Sequence, residues 1–192
     1  MKMDKKARFF VAGHLGRIGS AIIRKLKSIG ATDIITKTRS ECDLTDKSIV
    51  EAVFNHERPQ YVIFAAANLK DPEIYPADTI YHNIAMQTNF IEAYRKFEIK
   101  KMLFLGSSYI YPEICPLPIK EKQFMYEDFT TNKQWYAIVK IAGIKMCQAY
   151  NQQYNTNYIS IIPSTIYGLG DSYGLDDSHS SLQKMRNNSL SD

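Results

Sequence analysis

The chain has 192 residues, of which 45% are hydrophobic and 23% are charged, and its formal net charge at pH 7 is +4. This size and composition fit one globular domain, with room for an incomplete second one. The scattered basic residues exclude an extended nucleic-acid patch, and the apolar runs are too short for a signal-peptide core or a membrane span, so we expect no nucleic-acid and no membrane partner.

The first predicted unit is a strand, a glycine-rich turn and a helix. The apolar run Arg8–Ala12 ends at a glycine, and apolar residues then recur at helical spacing until Gly30. Glycines three residues apart at such a junction allow a tight turn and a close approach to a pyrophosphate at the helix N-terminus. We therefore expect cofactor phosphates to contact the turn residues Gly13, His14, Leu15, Gly16, Arg17, Ile18 and Gly19.

The second predicted strand, Asp33–Thr36, is followed by Lys37 and Arg39. At this point a dinucleotide-binding fold offers an acidic residue to the ribose of NAD, whereas an arginine suits the 2′-phosphate of NADP. The two cations therefore favour NADP(H), although two solvated side chains in a loop would give the same pattern. A third strand over Tyr61–Ala67 ends in small residues, which either leave room for a ligand or allow close packing.

The remaining elements continue the alternation of strands and helices. A long helix is predicted over Ala77–Phe97, a strand over Lys101–Ser108, a helix over Trp135–Gln153 and a strand over Asn157–Ile162. This alternation predicts an α/β fold with a Rossmann-type doubly wound parallel sheet, over residues 1–175. Ser107 and Ser108 would lie at the carboxyl end of a strand, where ligands bind in such sheets.

Tyr136 and Lys140 are four residues apart, so they share one face of the predicted helix. A lysine ammonium in this position can lower the pKa of the phenol and make it a proton donor and acceptor near neutral pH. The same spacing is common on ordinary amphipathic helices, so the pair alone does not define a site.

The three cysteines bear on the compartment. Cys42, Cys115 and Cys147 lie far apart, form no CxxC pair and belong to no His/Cys cluster at metal-ligand spacing. We therefore expect a reducing cytoplasm and no bound metal.

The glycine turn, the serine that ends the fourth strand and the Tyr136–Lys140 pair together resemble the extended branch of the short-chain dehydrogenase/reductase superfamily. Within that branch the sequence is similar to the GDP-L-fucose synthase family, which epimerises and reduces a GDP-linked 4-keto sugar. The similarity extends from about Arg8 to His179. It rests on the runs Ala12–Gly16, Lys37–Arg39, Tyr75–Asp78, Phe104–Ser108, Ile110–Pro112 and Tyr136–Lys145.

The resemblance implies a role for each catalytic residue. Tyr136 would protonate the C4 oxygen of the substrate, Ser107 would hydrogen-bond that oxygen, and Lys140 would hold the nicotinamide ribose. His179 falls where the family has a histidine used in epimerisation. Arg39 would contact the 2′-phosphate of NADP(H), and further cofactor contacts would come from Leu44, Ala65, Ala67, Leu105, Gly106, Ser108, Pro163, Ser164, Thr165 and Ile166.

The sequence also departs from the family. Tyr109 stands where the family has a cysteine that serves epimerisation, and the loop Asn68–Tyr75 is shorter, so a 4-ketoreductase for another nucleotide-sugar such as a GDP-heptose stays an alternative. Dehydration is disfavoured, because none of the residues just after Ser107, which are Ser108, Tyr109 and Ile110, is acidic.

The end of the chain leaves a further alternative. The C-terminal substrate domain of the family is largely absent, so residues 176–192 are expected to be the start of a truncated substrate region or a loose tail. An NADP-binding remnant without turnover is therefore another reading. We expect exposed apolar surface near Ile161–Tyr167. The resemblance also implies a homodimer through the two long helices and a GDP-sugar as the partner molecule.

Overall fold

Parallel strands alternate with helices along the chain in this computed structural model, which describes residues 4–97, 99–112, 116–123, 134–164 and 166–168. The strands are β1 (Arg8–Ala12), β2 (Asp33–Ile35), β3 (Tyr61–Phe64), β4 (Lys101–Leu105) and β5 (Tyr158–Ile161). The helices are α1 (Arg17–Ser28), α2 (Lys47–Glu57), α3 (Pro76–Lys96) and α4 (Gln134–Tyr154).

The strands form one sheet in the order β2-β1-β3-β4-β5, and every pairing in it is parallel. The chain first winds from β1 to β2 and then crosses back over β1 to reach β3. This reversal confirms the predicted doubly wound sheet of the Rossmann type. It also creates a crevice at the carboxyl ends of β1 and β3, where ligands bind in open parallel sheets.

Alternate side chains of the strands enter two apolar cores, one on each face of the sheet. On one face Phe9, Val11 and Ile63 pack with Leu26 of α1. On the other face the strands pack against all three remaining helices. That larger core includes Phe10, Phe64, Phe104, Val50, Phe54, Phe90, Ile91, Ile141 and Ile144. The even and odd positions of each strand therefore serve different helices, as the two-residue repeat of a strand requires.

The face that α1 covers is less protected at β5. Ile159 and Ile161 are 41% and 43% exposed, and Ile166 and Tyr167, beyond the strand, are also exposed. The expected apolar exposure near Ile161–Tyr167 is thus confirmed among the residues described there.

Two strands end three residues earlier than the sequence predicts. The ladder of β3 stops at Phe64, opposite Ala12, and that of β4 stops at Leu105, opposite Ile161. Residues 65–67 and 106–108 therefore follow the carboxyl ends of these strands. Within the described part of the chain, no helix combines the length and the apolar character that a bilayer crossing needs.

Candidate functional site

The turn between β1 and α1 is built so tightly that two of its glycines have no room for a side chain. Gly13 has a positive φ of 80°, and a Cβ there would lie 2.6 Å from the backbone of Ala65. A Cβ on Gly19 would overlap the Gly13 carbonyl. Gly16 caps α1 without any side-chain hydrogen bond, so the positive end of the helix dipole is left for an anion.

A cavity of about 320 Å³ lies beside this turn. Its lining brings together several predicted cofactor residues: Gly13, His14, Leu15, Gly16, Arg39, Leu44 and Ala67. The turn residues Arg17, Ile18 and Gly19 and the neighbouring Ala65 are outside this lining. Gly19 lies directly behind the Gly13 carbonyl and Ala65 directly beneath Gly13, so both support the turn from behind.

The two cations after β2 have different surroundings. Lys37 forms a 2.7 Å ion pair with Glu57 of α2, and its hydrogen bond to that carboxylate raises the lysine pKa. Arg39 has a side chain that is 78% exposed and approaches Asp43 at 3.5 Å. Both line the cavity, but Lys37 is already engaged on the protein side, so Arg39 is the better candidate for a 2′-phosphate.

Glu41 holds the turn that presents Arg39. One of its carboxylate oxygens accepts hydrogen bonds from the Thr38 amide at 2.7 Å and from the Thr38 hydroxyl at 2.6 Å. These bonds lower the pKa of Glu41, so the carboxylate is charged at neutral pH. The hydroxyls of Thr38 and Ser40 are 3.0 Å apart beside it.

The connection from β3 to α3 supplies cavity residues that sequence reasoning missed. Asn83, a buried residue of α3, accepts from the Asn68 amide at 2.8 Å and donates to the Asn68 carbonyl at 3.1 Å. This clamp holds the connection against the cavity. A buried asparagine in an apolar helical pattern is the signal that could have found it. The cavity residues missed by sequence reasoning are Asn68 and Leu69 in this connection and His82 and Met86 in α3.

A second group of predicted residues meets at the carboxyl end of β4. Ser107 caps a short 3-10 turn over Ser108–Ile110, and its hydroxyl accepts from the Tyr109 amide at 3.3 Å. The ring of Tyr109 lies edge-on to that of Tyr136, with the centroids 6.4 Å apart. The turn that carries Ser107 and the first turn of α4 are therefore neighbours.

Lys140 is 4% exposed, which is rare for a lysine. Its ammonium donates to the Leu105 carbonyl at 2.9 Å. The ammonium nitrogen also lies 5.2 Å from the ring centre of Phe104 and 5.4 Å from that of Tyr136. Burial lowers the pKa of Lys140 to about 8, because the apolar surroundings disfavour the charged form.

The pKa of Tyr136 is shifted upward, whereas the sequence predicts a downward shift. Burial, with a smaller effect from the neighbouring Tyr109, raises the pKa of Tyr136 to about 12. The expectation that Lys140 lowers this pKa is therefore wrong for the arrangement seen here, in which the ammonium is directed to the Leu105 carbonyl. A phenol with this pKa is protonated at neutral pH and can act as a proton donor.

Two hydrogen bonds join β5 and the segment after it to neighbouring elements. The Gly106 amide donates to the Ile161 carbonyl at 2.8 Å, which ties the end of β4 to β5. The guanidinium of Arg17 donates to the Ile166 carbonyl at 3.2 Å. The predicted Pro163 and Ser164 follow the end of β5, and the predicted Ile166 lies beside the first residue of α1.

Two predicted site residues, Thr165 and His179, lie outside the described residues. Across the described ranges, no three His, Cys, Asp or Glu side chains are grouped closely enough to hold a metal ion.

Comparison with known proteins connects this geometry to a family. The family model described as "NAD dependent epimerase/dehydratase family" matches residues 9–191. The chain is 47% identical to a putative GDP-L-fucose synthase 2 of Arabidopsis thaliana over 180 residues, which cover 92% of this chain and 55% of that protein. The chain thus spans about half the length of the curated relatives it matches.

Two solved structures from Campylobacter jejuni are also similar. A GDP-mannoheptose C4 reductase with NADP bound has 34% identity and a TM-score of 0.85, covering 89% of this chain and 55% of that one. A GDP-D-glycero-L-gluco-heptose synthase, solved in the presence of NADPH, has 33% identity and a TM-score of 0.87, covering 93% of this chain and 53% of that one.

Proposed function

The chain belongs to the NAD dependent epimerase/dehydratase family, and from that membership we propose that it binds NADP(H) and reduces the C4 ketone of a GDP-linked 4-keto sugar. The observation that carries the proposal is the meeting of Tyr136, Lys140 and the Ser107 turn at the carboxyl end of β4. Ketone reduction needs a proton donor and a hydrogen-bond donor to the developing alkoxide, and these residue types supply both.

The residues at the end of the crevice beside β1 and β2 fit the pyrophosphate and the 2′-phosphate of NADP(H). The turn at Gly13 leaves a cradle that any Cβ would fill, and the uncapped N-terminus of α1 lies beside it. Arg39 would take the 2′-phosphate, since its side chain is exposed beside the cavity and its partner Asp43 is 3.5 Å away. The two Campylobacter jejuni proteins, whose names report NADP and NADPH, support the same cofactor here.

The chemistry divides between the cofactor and the chain. Bound NADPH would supply a hydride to the C4 carbon. Tyr136 would give its phenolic proton to the C4 oxygen. The phenol is protonated at neutral pH, and burial, which raises its pKa to about 12, makes it a weaker acid than an exposed tyrosine. The Ser107 hydroxyl would donate a hydrogen bond to the same oxygen, and Lys140 would hold the nicotinamide ribose.

Two candidate sugars follow from the similar proteins. A GDP-4-keto-6-deoxymannose substrate, with epimerisation at C3 and C5 before reduction, is supported by the GDP-L-fucose synthase relatives. A GDP-4-keto-heptose reduced without epimerisation is supported by the heptose enzymes and by Tyr109 at the family's cysteine position. His179 would serve only the first of these.

We also propose an oligomeric state and a compartment, and one alternative stays open. A homodimer would form through α3 and α4, and light scattering at a defined concentration tests this. Cys42 and Cys147 are buried and free, which is consistent with a reducing cytoplasm. The remnant reading predicts cofactor binding without turnover.

The test is to titrate the purified chain with NADPH and NADH, then add each of the two GDP-4-keto sugars in D₂O and follow the absorbance of the reduced cofactor. We expect NADPH to bind more tightly than NADH and to be oxidised. Deuterium at C3 and C5 of the product would identify the epimerase route, and its absence the reductase-only route. Binding of NADPH without oxidation by either sugar would contradict the proposed activity and favour the remnant.

A further inference from the structure

Gln87 is a buried amide at the interface between α3 and α4, where the surroundings are otherwise apolar. It is 1% exposed and donates from Nε2 to the Val139 carbonyl at 3.1 Å. Val139 immediately precedes Lys140 in α4, so this bond ties α3 to the helical turn that carries the buried ammonium. The carbonyl lies 52 residues away in sequence, so no local pattern would produce the contact.

The same turn of α4 lies unusually close to the sheet. A Cβ on Gly143 would overlap the ring of Phe104 and lie 2.7 Å from Oε1 of Gln87. Glycine costs about 1 kcal/mol in a helix interior relative to alanine, and here its missing side chain lets the helix approach the ring of Phe104. That ring also lies 5.2 Å from the Lys140 ammonium nitrogen, within the range of a cation–π contact.

Gln87, Gly143 and Phe104 thus lie against one another beside this turn of α4. In this arrangement the Lys140 ammonium donates to the Leu105 carbonyl at 2.9 Å. The centre of the Tyr136 ring lies 5.4 Å from the same ammonium nitrogen. An apolar residue would fill the space of Gln87 equally well. Burying an amide among apolar side chains costs free energy unless the amide is hydrogen-bonded. We therefore expect the bond from Gln87 to favour one position of this turn of α4.

We propose, on the basis of the function proposed above, that Gln87 is a positioning residue, which by its bond to the Val139 carbonyl fixes the turn of α4 that carries Tyr136 and Lys140. A displacement of about 1 Å from the productive geometry can cost about 100-fold in rate. The bond is therefore expected to affect the rate of reduction more than the affinity for the sugar.

The test replaces Gln87 by Met, which keeps the length of the side chain and removes its amide. The matched control is Thr88→Val, since the hydroxyl of Thr88 contacts Met146 Sδ at 3.8 Å in the same helix interface but away from Lys140. If Gln87→Met does not fold, Gln87→Leu replaces it. Amide hydrogen exchange is measured for residues 134–144 and 145–154 of α4, followed by kcat and KM for the GDP-4-keto sugar.

We expect Gln87→Met to speed exchange in residues 134–144 about tenfold with little change in 145–154, and to lower kcat about tenfold or more with KM changed less than about twofold. Thr88→Val should match the wild type in both measurements. Unchanged exchange in residues 134–144, or an unchanged kcat, would overturn the positioning role. If the wild-type chain oxidises no NADPH, the proposed function fails, and the exchange experiment still decides whether Gln87 fixes the turn.

Discussion

The two ends of the crevice are built from different parts of the polypeptide. The end at β1 and β2 is largely backbone, with a glycine turn packed on Ala65 and cations that are exposed or paired on the surface. The end at β4 and α4 consists largely of side chains, including the buried ammonium of Lys140 and the half-buried phenol of Tyr136, both with shifted pKa values. We therefore expect binding of the cofactor phosphates to depend on the shape of the turn, and the proposed chemistry to depend on side chains that include an ammonium that is costly to bury.

The sharpest separation of the two ends is expected from Tyr136→Phe, which removes a proton donor and keeps the ring. General acid catalysis contributes about 100- to 10,000-fold, so we expect turnover to fall by that factor. The affinity for NADPH should stay within about twofold, since the phosphates bind at the other end. Stopped-flow absorbance of the cofactor and a fluorescence titration measure the two quantities.

The control for Tyr136→Phe is Tyr81→Phe, a change of the same size on the exposed face of α3, where the tyrosine is 70% exposed. It should leave both quantities unchanged. A loss of NADPH affinity in Tyr136→Phe as large as its loss of turnover would mean that the two ends are not independent.

Arg39→Ala is expected to have the opposite effect, which is weaker binding of NADPH through a change at the β1 and β2 end. Loss of charge-assisted hydrogen bonds to a phosphate costs about 1.5 to 3 kcal/mol, so NADPH affinity should fall about 10- to 100-fold with NADH affinity unchanged. Lys37→Ala is the matched variant, because its ammonium is paired with Glu57 at 2.7 Å. It should change NADPH affinity less than about threefold, because that ammonium is already paired. Equal losses in the two variants would show that the pairing does not restrain Lys37.

The stability cost at the β4 end can be measured with Lys140→Met. The pKa of Lys140 falls from 10.5 to about 8, which corresponds to a cost on the order of 3 kcal/mol for keeping the buried ammonium charged. Between those two pH values the unfolded chain holds a proton that the folded chain has released, so stability should rise with pH across that interval.

Lys140→Met removes this cost and also the bond to the Leu105 carbonyl, so we expect a net gain of about 1 to 3 kcal/mol near neutral pH. The rise in stability between pH 8 and 10.5 should become smaller. Turnover should be lost. Denaturant unfolding at a series of pH values gives the result, with Lys145→Met, an exposed position of the same helix, as the control. A destabilised Lys140→Met protein would show that the ammonium is favoured where it lies.

The difference between the ends also explains what the sequence could predict. The glycine spacing and the four-residue separation of Tyr136 and Lys140 are local patterns. The glycines lie between β1 and α1, and Tyr136 and Lys140 lie in the first turns of α4, as the sequence predicts. The pairing of Lys37 with Glu57 and the bond from Gln87 to Val139 join residues 20 and 52 positions apart, which no local pattern indicates. The direction of the Tyr136 pKa was missed for a related reason, since it depends on burial by neighbouring elements.

The smallest expected effect tests whether the β1 and β2 end responds to charge alone. In Glu41→Gln the side-chain oxygen can still accept both bonds from Thr38, so the turn is kept while a negative charge two positions from Arg39 in the sequence is removed. The repulsion between the Glu41 carboxylate and the 2′-phosphate of NADPH amounts to a few tenths of a kcal/mol at a solvent-exposed site. Without it, NADPH should bind about twofold more tightly, and NADH, which has no 2′-phosphate, should bind equally well. The difference should vanish at about 1 M salt, where exposed charges are screened. Glu41→Ala, which also removes the two bonds, should instead weaken NADPH binding, because the turn that presents Arg39 is no longer held. Weaker binding in both variants would mean that the carboxylate itself, and not only its hydrogen bonds, supports the cofactor.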